Sequence, residues 1–152
     1  GTSFVVNVTV VSGDTVLFGT NNVDTLAGGA GDDLLFGGDG ADFLSGGAGS
    51  DLFVIGIGDG VDVVADFDAA DDASADNDVL DLSALFAGGV SGGPVEAYVS
   101  IVSGPTGAVV TINSDGVGAD FAPIATLTGI GAGETVQVVL DRTMGPIDIE
   151  VV

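Results

Sequence analysis

Large apolar residues return every nine positions early in the chain, at Leu17, Leu26, Leu35, Leu44 and Phe53. Four of them have an aspartate two places ahead: Asp24, Asp33, Asp42 and Asp51. The nine-residue blocks so defined read GTNNVDTLA, GGAGDDLLF, GGDGADFLS and GGAGSDLFV and run unbroken from Gly19 to Val54. Place six holds the aspartate and place eight the large apolar residue. One such side chain per block predicts a strand of two or three residues that points it inward and stacks it into a narrow core. Glycines at places one, two and four predict tight turns with positive φ, a conformation that a Cβ resists. Two blocks close one coil with a turn on each side, so the first block stacks on the third and the second on the fourth.

The phase frays at both edges. Upstream, Val10 to Phe18 (VVSGDTVLF) keeps Gly13 and Leu17 in place but has Thr15 at place six. Downstream, Ile57 to Ala65 (IGDGVDVVA) restores Gly58, Gly60, Asp62 and Val64 after a two-residue insertion. Beyond an acidic linker, AADDASADN, the aspartates thin out and β-branched residues take over. Strands are predicted at Tyr98–Ser103, Ala108–Asn113, Ile124–Thr128, Thr135–Leu140 and Ile147–Val152, divided by glycine or proline turns, with a short helical turn at Ser83–Phe86. The alternating segment Ser3–Val11 reads as an incoming strand. The expected organisation is an incoming strand or linker at 1–12, a roll at 13–68, and a β-rich region packed on it at 69–152.

Charge changes the picture. The net formal charge is −22, with Arg142 the only basic residue, and 16 of the 20 aspartates fall between Asp14 and Asp81. Such a chain repels nucleic acid and anionic membrane surfaces. Charge alone would argue for disorder, yet 46% of the residues are hydrophobic, which argues for a buried core. Neutralisation by a hard divalent cation reconciles the two. The pattern G-G-x-G-x-D-x-U-x is already known as a calcium-binding nonapeptide, so calcium follows here from an existing rule. An aspartate beside the carbonyls of a glycine turn is the oxygen-rich donor set that calcium prefers. The candidate ligands are Asp24, Asp33, Asp42, Asp51 and Asp62, with Gly29, Gly31, Gly38, Gly40, Gly47 and Gly49 in the turns and Asp66 as a weaker candidate. Cations shared by Asp24 with Asp42, by Asp33 with Asp51, and by Asp62 with Asp42 imply about two to four ions. Asp32 and Asp39, at places five and three, are expected to add local charge only.

The repeats resemble those of the RTX proteins, exported by Gram-negative bacteria through type I secretion. The later sequence resembles the C-terminal target region of large adhesins and hydrolases of that family. Gly60, Asp62, Val64, Asp66 and Phe67 match its G-x-D-x-I-x-D-F element, Asp78 to Ser83 its D-x-L-D-L-S element, and Val109 to Ile130 its T-x-I-x-x-D-G-x-G segment with the T-L-x-G-I that follows. The resemblance implies an all-β fold, a parallel β-roll of nonapeptide repeats followed by a β-rich cap or secretion domain. It also implies an uncleaved C-terminal export signal, read by an ABC transporter with an outer-membrane channel, and folding on extracellular calcium. Upstream domains of a parent chain and an extracellular or cell-surface location belong to the same expectation. The chain starts at Gly1 without a signal-peptide pattern, as expected of an excised or processed piece.

A second class of function is structural. Ser3–Val11, donated to a neighbour as a strand, would join subunits into a calcium-dependent surface layer or fibre, a form of self-association. Catalysis finds no support: the sequence has no His and no Cys, and one Tyr with no Trp is too little to line a sugar cleft. No stretch is long and apolar enough to insert into a membrane as a helix. Arg142 is expected to pair with a nearby acid and Met144 to be ordinary core.

Overall fold

The fold is given by a computed structural model, which describes residues 7–9, 13–56, 60–70, 75–86, 90, 93–113, 115–116, 120–143 and 145–152. Expectations for residues 1–6, 10–12, 57–59, 71–74 and 144 fall outside this set, among them most of the incoming segment, Gly58, part of the acidic linker and Met144.

Eight strands belong to the roll and its junction: β1 Asn7–Thr9, β2 Val16–Phe18, β3 Thr25–Ala30, β4 Leu34–Phe36, β5 Phe43–Ala48, β6 Leu52–Val54, β7 Asp62–Val64 and β8 Val79–Asp81. Five follow: β9 Val99–Gly104, β10 Gly107–Ile112, β11 Ala122–Thr128, β12 Thr135–Val139 and β13 Ile147–Glu150. These five lie within two residues of the predicted strands at either end, and a short 3-10 turn occupies Ser83–Phe86 as predicted. The fold is all-β, and the described residues contain no α-helix.

Alternate strands go to opposite sheets, as two blocks per coil require. One sheet has the order β1-β3-β5-β7-β11-β10-β9 and the other β13-β12-β8-β6-β4-β2. Within the roll all pairings are parallel and in phase: Leu26 pairs with Leu44, and Leu35 with Phe53. The two-residue insertion after Val54 leaves the pairing unharmed, since Leu44 meets Val64 at the same place of the next coil. On the other sheet Phe53 meets Leu80, 27 residues on. The strands differ from expectation in one respect. β3 and β5 have six residues, because the register continues through the stacked turn and pairs Gly29 with Gly47 and Ala30 with Ala48.

The tail extends both sheets. β11 pairs parallel with β7, and β12 parallel with β8, before each sheet ends in antiparallel pairs. At this end the sheets are joined by the N–H of Ser103 to the carbonyl of Val152 (2.8 Å) and the N–H of Val152 to the carbonyl of Ile101 (3.1 Å). At the opposite end β1 and β2 are the outermost strands among the described residues, with Val16 55% and Phe18 63% exposed. Phe18 stacks on Phe36 at 4.7 Å between ring centroids, on the outer face.

Two columns of place-eight side chains run through the core. Leu26, Leu44 and Val64 continue into Leu127 and Ala108, while Leu35, Phe53 and Leu80 continue into Val138, and every one of these is fully buried. Full burial of a side chain of this size contributes about 1.5–3 kcal/mol. Because each column is one side chain wide, a gap cannot close by sideways collapse. Leu44→Ala should therefore cost about 2–5 kcal/mol, read as a lower urea midpoint at saturating calcium. A loss below about 0.5 kcal/mol would show that the column is not continuous.

Candidate metal centre

The turns set the site. Gly38 and Gly40, at places two and four, have φ of 97° and 120°, and Gly29, Gly31, Gly47 and Gly49 repeat this conformation in their blocks. Place one differs from the sequence expectation. Gly28, Gly37 and Gly46 do not have positive φ; they are glycine for lack of room. A Cβ on Gly28 would collide with Asp33 Oδ2 and stand 2.7 Å from the carbonyl oxygen of Gly46 on the next coil. A Cβ on Gly37 or Gly46 would meet Oδ2 of Asp42 or Asp51 in the same way.

The place-six side chains form two ladders along the roll, one at each row of turns. In the first, the N–H of Asp24 donates to Asp42 Oδ1 (2.9 Å), and the N–H of Asp42 donates to Asp62 Oδ1 (2.9 Å). In the second, the N–H and hydroxyl of Thr15 donate to Asp33 Oδ1 (2.7 and 2.8 Å), and the N–H of Asp33 donates to Asp51 Oδ1 (2.8 Å). The N–H of Asp51 then donates to Asp78 Oδ1 (2.8 Å). Each aspartate is thus pinned to the backbone one coil away. All six are buried, none more than 5% exposed.

The structure stacks Asp24, Asp42 and Asp62 together, and Asp33 with Asp51. It places Asp66 elsewhere: its carboxylate lies over the fourth block's turn, accepting the Ser45 hydroxyl (2.7 Å) and the N–H groups of Gly46 (3.0 Å) and Gly47 (3.1 Å). Asp32 is exposed at place five, in an outer ladder that runs the opposite way. Its N–H donates to Asp14 Oδ1 (3.1 Å) and its own Oδ1 accepts from the N–H of Ser50 (2.9 Å). Asp39 is exposed. Arg142 pairs with the buried Asp81 at 3.6 Å and donates to the Ser83 hydroxyl at 3.0 Å.

Asp78 is absent from the ligands expected from the repeats. It stands 27 residues, three periods of nine, beyond Asp51, but Gly60 and Ala69 fill the two places between, so the run of aspartates stops before reaching it. A trace of it is present in the sequence. Asp78-Val79-Leu80 repeats the aspartate-x-apolar triplet of every block, without the glycines.

Asp33, Asp42 and Asp51 each keep a buried Oδ2 with no hydrogen-bond partner. A buried ionised oxygen without a donor is strongly unfavourable unless a cation meets it. Among the described residues no three carboxylates converge on one point. The donors on offer are therefore single carboxylate oxygens and turn carbonyls such as that of Gly46. This all-oxygen set, with glycine clearing the space, fits calcium and not a metal that favours nitrogen or sulfur. A bound cation would supply the positive charge these oxygens lack.

Electrostatics agree. Burial pushes the Asp78 carboxyl up to about 7 and those of Asp51 and Asp62 up to about 6, and it raises Asp42 as well. The donated N–H groups oppose the shift, and neighbouring carboxylates, Asp66 beside Asp51 and Asp78 among them, add to it.

Residues 18–53 match the family model described as the RTX calcium-binding nonapeptide repeat, in four copies. These residues coincide, one residue out of step, with the four blocks read from the sequence at Gly19 to Val54, and RTX repeats bind calcium. Among solved structures, the crystal structure of the C-terminal domain (RV) of MpAFP is 21% identical, covering 98% of this chain and 99% of that one, with a TM-score of 0.53. That likeness is one of fold. The solution structure of the AlgE6R3 subunit from the Azotobacter vinelandii mannuronan C5-epimerase is 24% identical over 90% of this chain and 83% of that one, with a TM-score of 0.41. No curated protein sequence matches the chain. The described residues include no helix long and apolar enough to cross a membrane.

Two outcomes follow from the geometry. A methyl on Gly28 occupies the space beside Asp33 Oδ2, so Gly28→Ala should raise the calcium midpoint at least tenfold, roughly 1.4 kcal/mol, in a titration followed by circular dichroism. An unchanged midpoint would mean that no ion sits there. The second outcome concerns the cation-free form. Asp51, Asp62 and Asp78 hold a proton more tightly when folded than at the ordinary value of 3.8. The electrostatic penalty on the cation-free fold is therefore absent below 3.8 and complete above about 7. In chelator, acidification from about pH 8 to pH 5 should increase the far-UV β signal. With calcium present, the midpoint should rise over the same interval as protons compete for the carboxylates. Loss of β signal on acidification in chelator would contradict the burial argument.

Proposed function

We propose that this chain is the calcium-folded module of an exported RTX-type protein, crossing the cell envelope unfolded and folding outside on calcium. The observation that carries the reading is the set of buried, unpartnered Oδ2 atoms on Asp33, Asp42 and Asp51. At submicromolar calcium these oxygens face one another's charge alone. At millimolar calcium each occupied site stabilises the folded form by RT ln(1 + [L]/Kd), about 2.7 kcal/mol at a hundredfold excess over Kd. A few such terms are comparable to a net stability of about 5–15 kcal/mol. Calcium concentration then decides whether the chain is folded, and it differs most between the inside and the outside of a cell.

In this reading the later half, through β12 and β13, carries an uncleaved export signal. A type I ABC transporter with its outer-membrane channel is the partner during export, and upstream domains of the parent chain are the cargo. The module itself is not an enzyme: its buried acids stand in metal-ligand phase and are held by backbone N–H groups. Its place of action is extracellular or at the bacterial surface.

A second reading, a subunit of a calcium-dependent surface layer or fibre, draws on the exposed edge at β2, where Val16 and Phe18 stand largely in solvent. One experiment separates the two. Calcium titration from chelator, followed by circular dichroism and by sedimentation of both end states, should show a coil-to-β transition near about 10⁻³ M calcium that ends in a monomer. The same transition ending in large assemblies would favour the layer. A chain fully β-structured in chelator at neutral pH would remove the calcium switch altogether. For the export step, a reporter fused ahead of this chain should reach the medium of cells carrying a type I exporter. Removal of residues 135–152 should abolish its appearance there, and continued release of the truncated fusion would place the signal elsewhere.

A further inference from the structure

The Thr15–Asp33–Asp51–Asp78 ladder ends differently from the way it runs. Along this ladder Asp33 and Asp51 each have Oδ1 taken by a backbone N–H and a buried Oδ2 without a hydrogen-bond partner. Asp78 departs from this rule. Its Oδ1 accepts the N–H of Asp51 (2.8 Å), and its Oδ2 accepts the N–H of Asp68 (2.9 Å). The side chain is 2% exposed, and both oxygens are spoken for by protein donors. Five residues ahead of Asp78 the sequence has Ala73, where Asp33, Asp42 and Asp51 have Gly28, Gly37 and Gly46. The glycine that clears space beside Oδ2 in the repeats is missing from this block.

The same segment grips the fourth turn at further points. The N–H of Val79 donates to the carbonyl of Asp51 (2.9 Å), and the N–H of Asn77 donates to the Ser50 hydroxyl (3.2 Å). Asp51 is thereby held at its N–H and its carbonyl by residues 78 and 79, while its own Oδ2 stays unpartnered.

We propose that Asp78 is the stop of this ladder: it stands at a calcium-ligand place but is not a ligand. It is a positioning residue that fixes Asp51 for the last cation with N–H groups in the role that metal plays elsewhere. The inference deepens the calcium reading and rests on it. A site whose frame is set before the ion arrives loses less freedom on binding, so the Asp51 site should gain affinity from Asp78 without sharing an ion with it.

The test is to count ions. Equilibrium dialysis at saturating calcium should give D51N one ion fewer than the unaltered chain, and D78N the same number as the unaltered chain. D78N should also have a calcium midpoint raised several-fold. Asn keeps one oxygen for the Asp51 N–H but offers an N–H where Asp68 needs an acceptor, so D78N should be milder than D78A. A D78N chain that binds one ion fewer would make Asp78 a ligand and overturn the inference. An unaltered chain that binds no calcium would sink the calcium reading itself, a different result in the same experiment. A measurement on the unaltered chain covers the case in which the variants fail to fold. With calcium saturating, the Asp68 amide should exchange slowly with deuterium, because its acceptor is retained. Fast exchange of that amide in the calcium-loaded form would show that the ion has taken Oδ2, and the inference would fall.

Discussion

The structure depends on one interaction, a carboxylate oxygen accepting a backbone N–H from the neighbouring coil, 18 residues away in the regular repeats. That bond carries three consequences. It draws the carboxylate out of water, it fixes the spacing of successive turns, and it leaves the second oxygen without a partner unless something outside the chain supplies one. A neutral side chain could accept the same N–H without burying a charge. Aspartate at this place therefore gives a fold that is complete in its backbone bonds and incomplete in its charge. Half-satisfied buried polar groups are unfavourable, and this is the physical basis of the proposed dependence on a cation.

The two sheets convert this local requirement into a long-range one. Each coil contacts only its neighbours, so stability accumulates along the axis much as in other solenoids. The tail does not sit beside the roll as a separate body. β11 and β12 extend the same two sheets, and Leu127 and Val138 extend the same two core columns. Beside β9 and β13, the Val152 bonds to Ser103 and Ile101 bring the two sheets together. Among the described residues, one end of the solenoid is closed and the other has β1 and β2 as its outermost strands.

Most of this architecture was legible in the sequence, for a physical reason. In a roll the repeat unit is also the structural unit, so the period of Leu26, Leu35, Leu44 and Phe53 translates directly into stacking. The later strands were legible because β-branched runs there are cleanly divided by glycine and proline. What escaped notice were interactions that leave no periodic mark. The glycines at place one looked like turn residues, yet Gly28, Gly37 and Gly46 are needed for the space beside a carboxylate, which only the stacked coil defines. Asp78 keeps the nine-residue count from Asp51, but Gly60 and Ala69 interrupt the run of aspartates and the glycines are missing from its own block, so nothing periodic points to it. The extension of β3 and β5 through their turns depends on how two turns face each other, which no single block specifies. The role of Thr15 is similar: it looked like a defect in the array, but it supplies two donors to Asp33 and so begins a ladder instead of interrupting one.

Arg142 stands 67% exposed between β12 and β13, anchored to Asp81 and Ser83, and it is the only basic residue in the chain. To a protease that recognises basic side chains, the whole molecule offers a single address. A cut there would free a short piece carrying β13 and Val152, the very residues through which the two sheets are joined. Everything ahead of it, the repeats included, would be left in one fragment. In an environment rich in such enzymes, the lifetime of the closed end would hang on one arginine and on how firmly Asp81 keeps it in place.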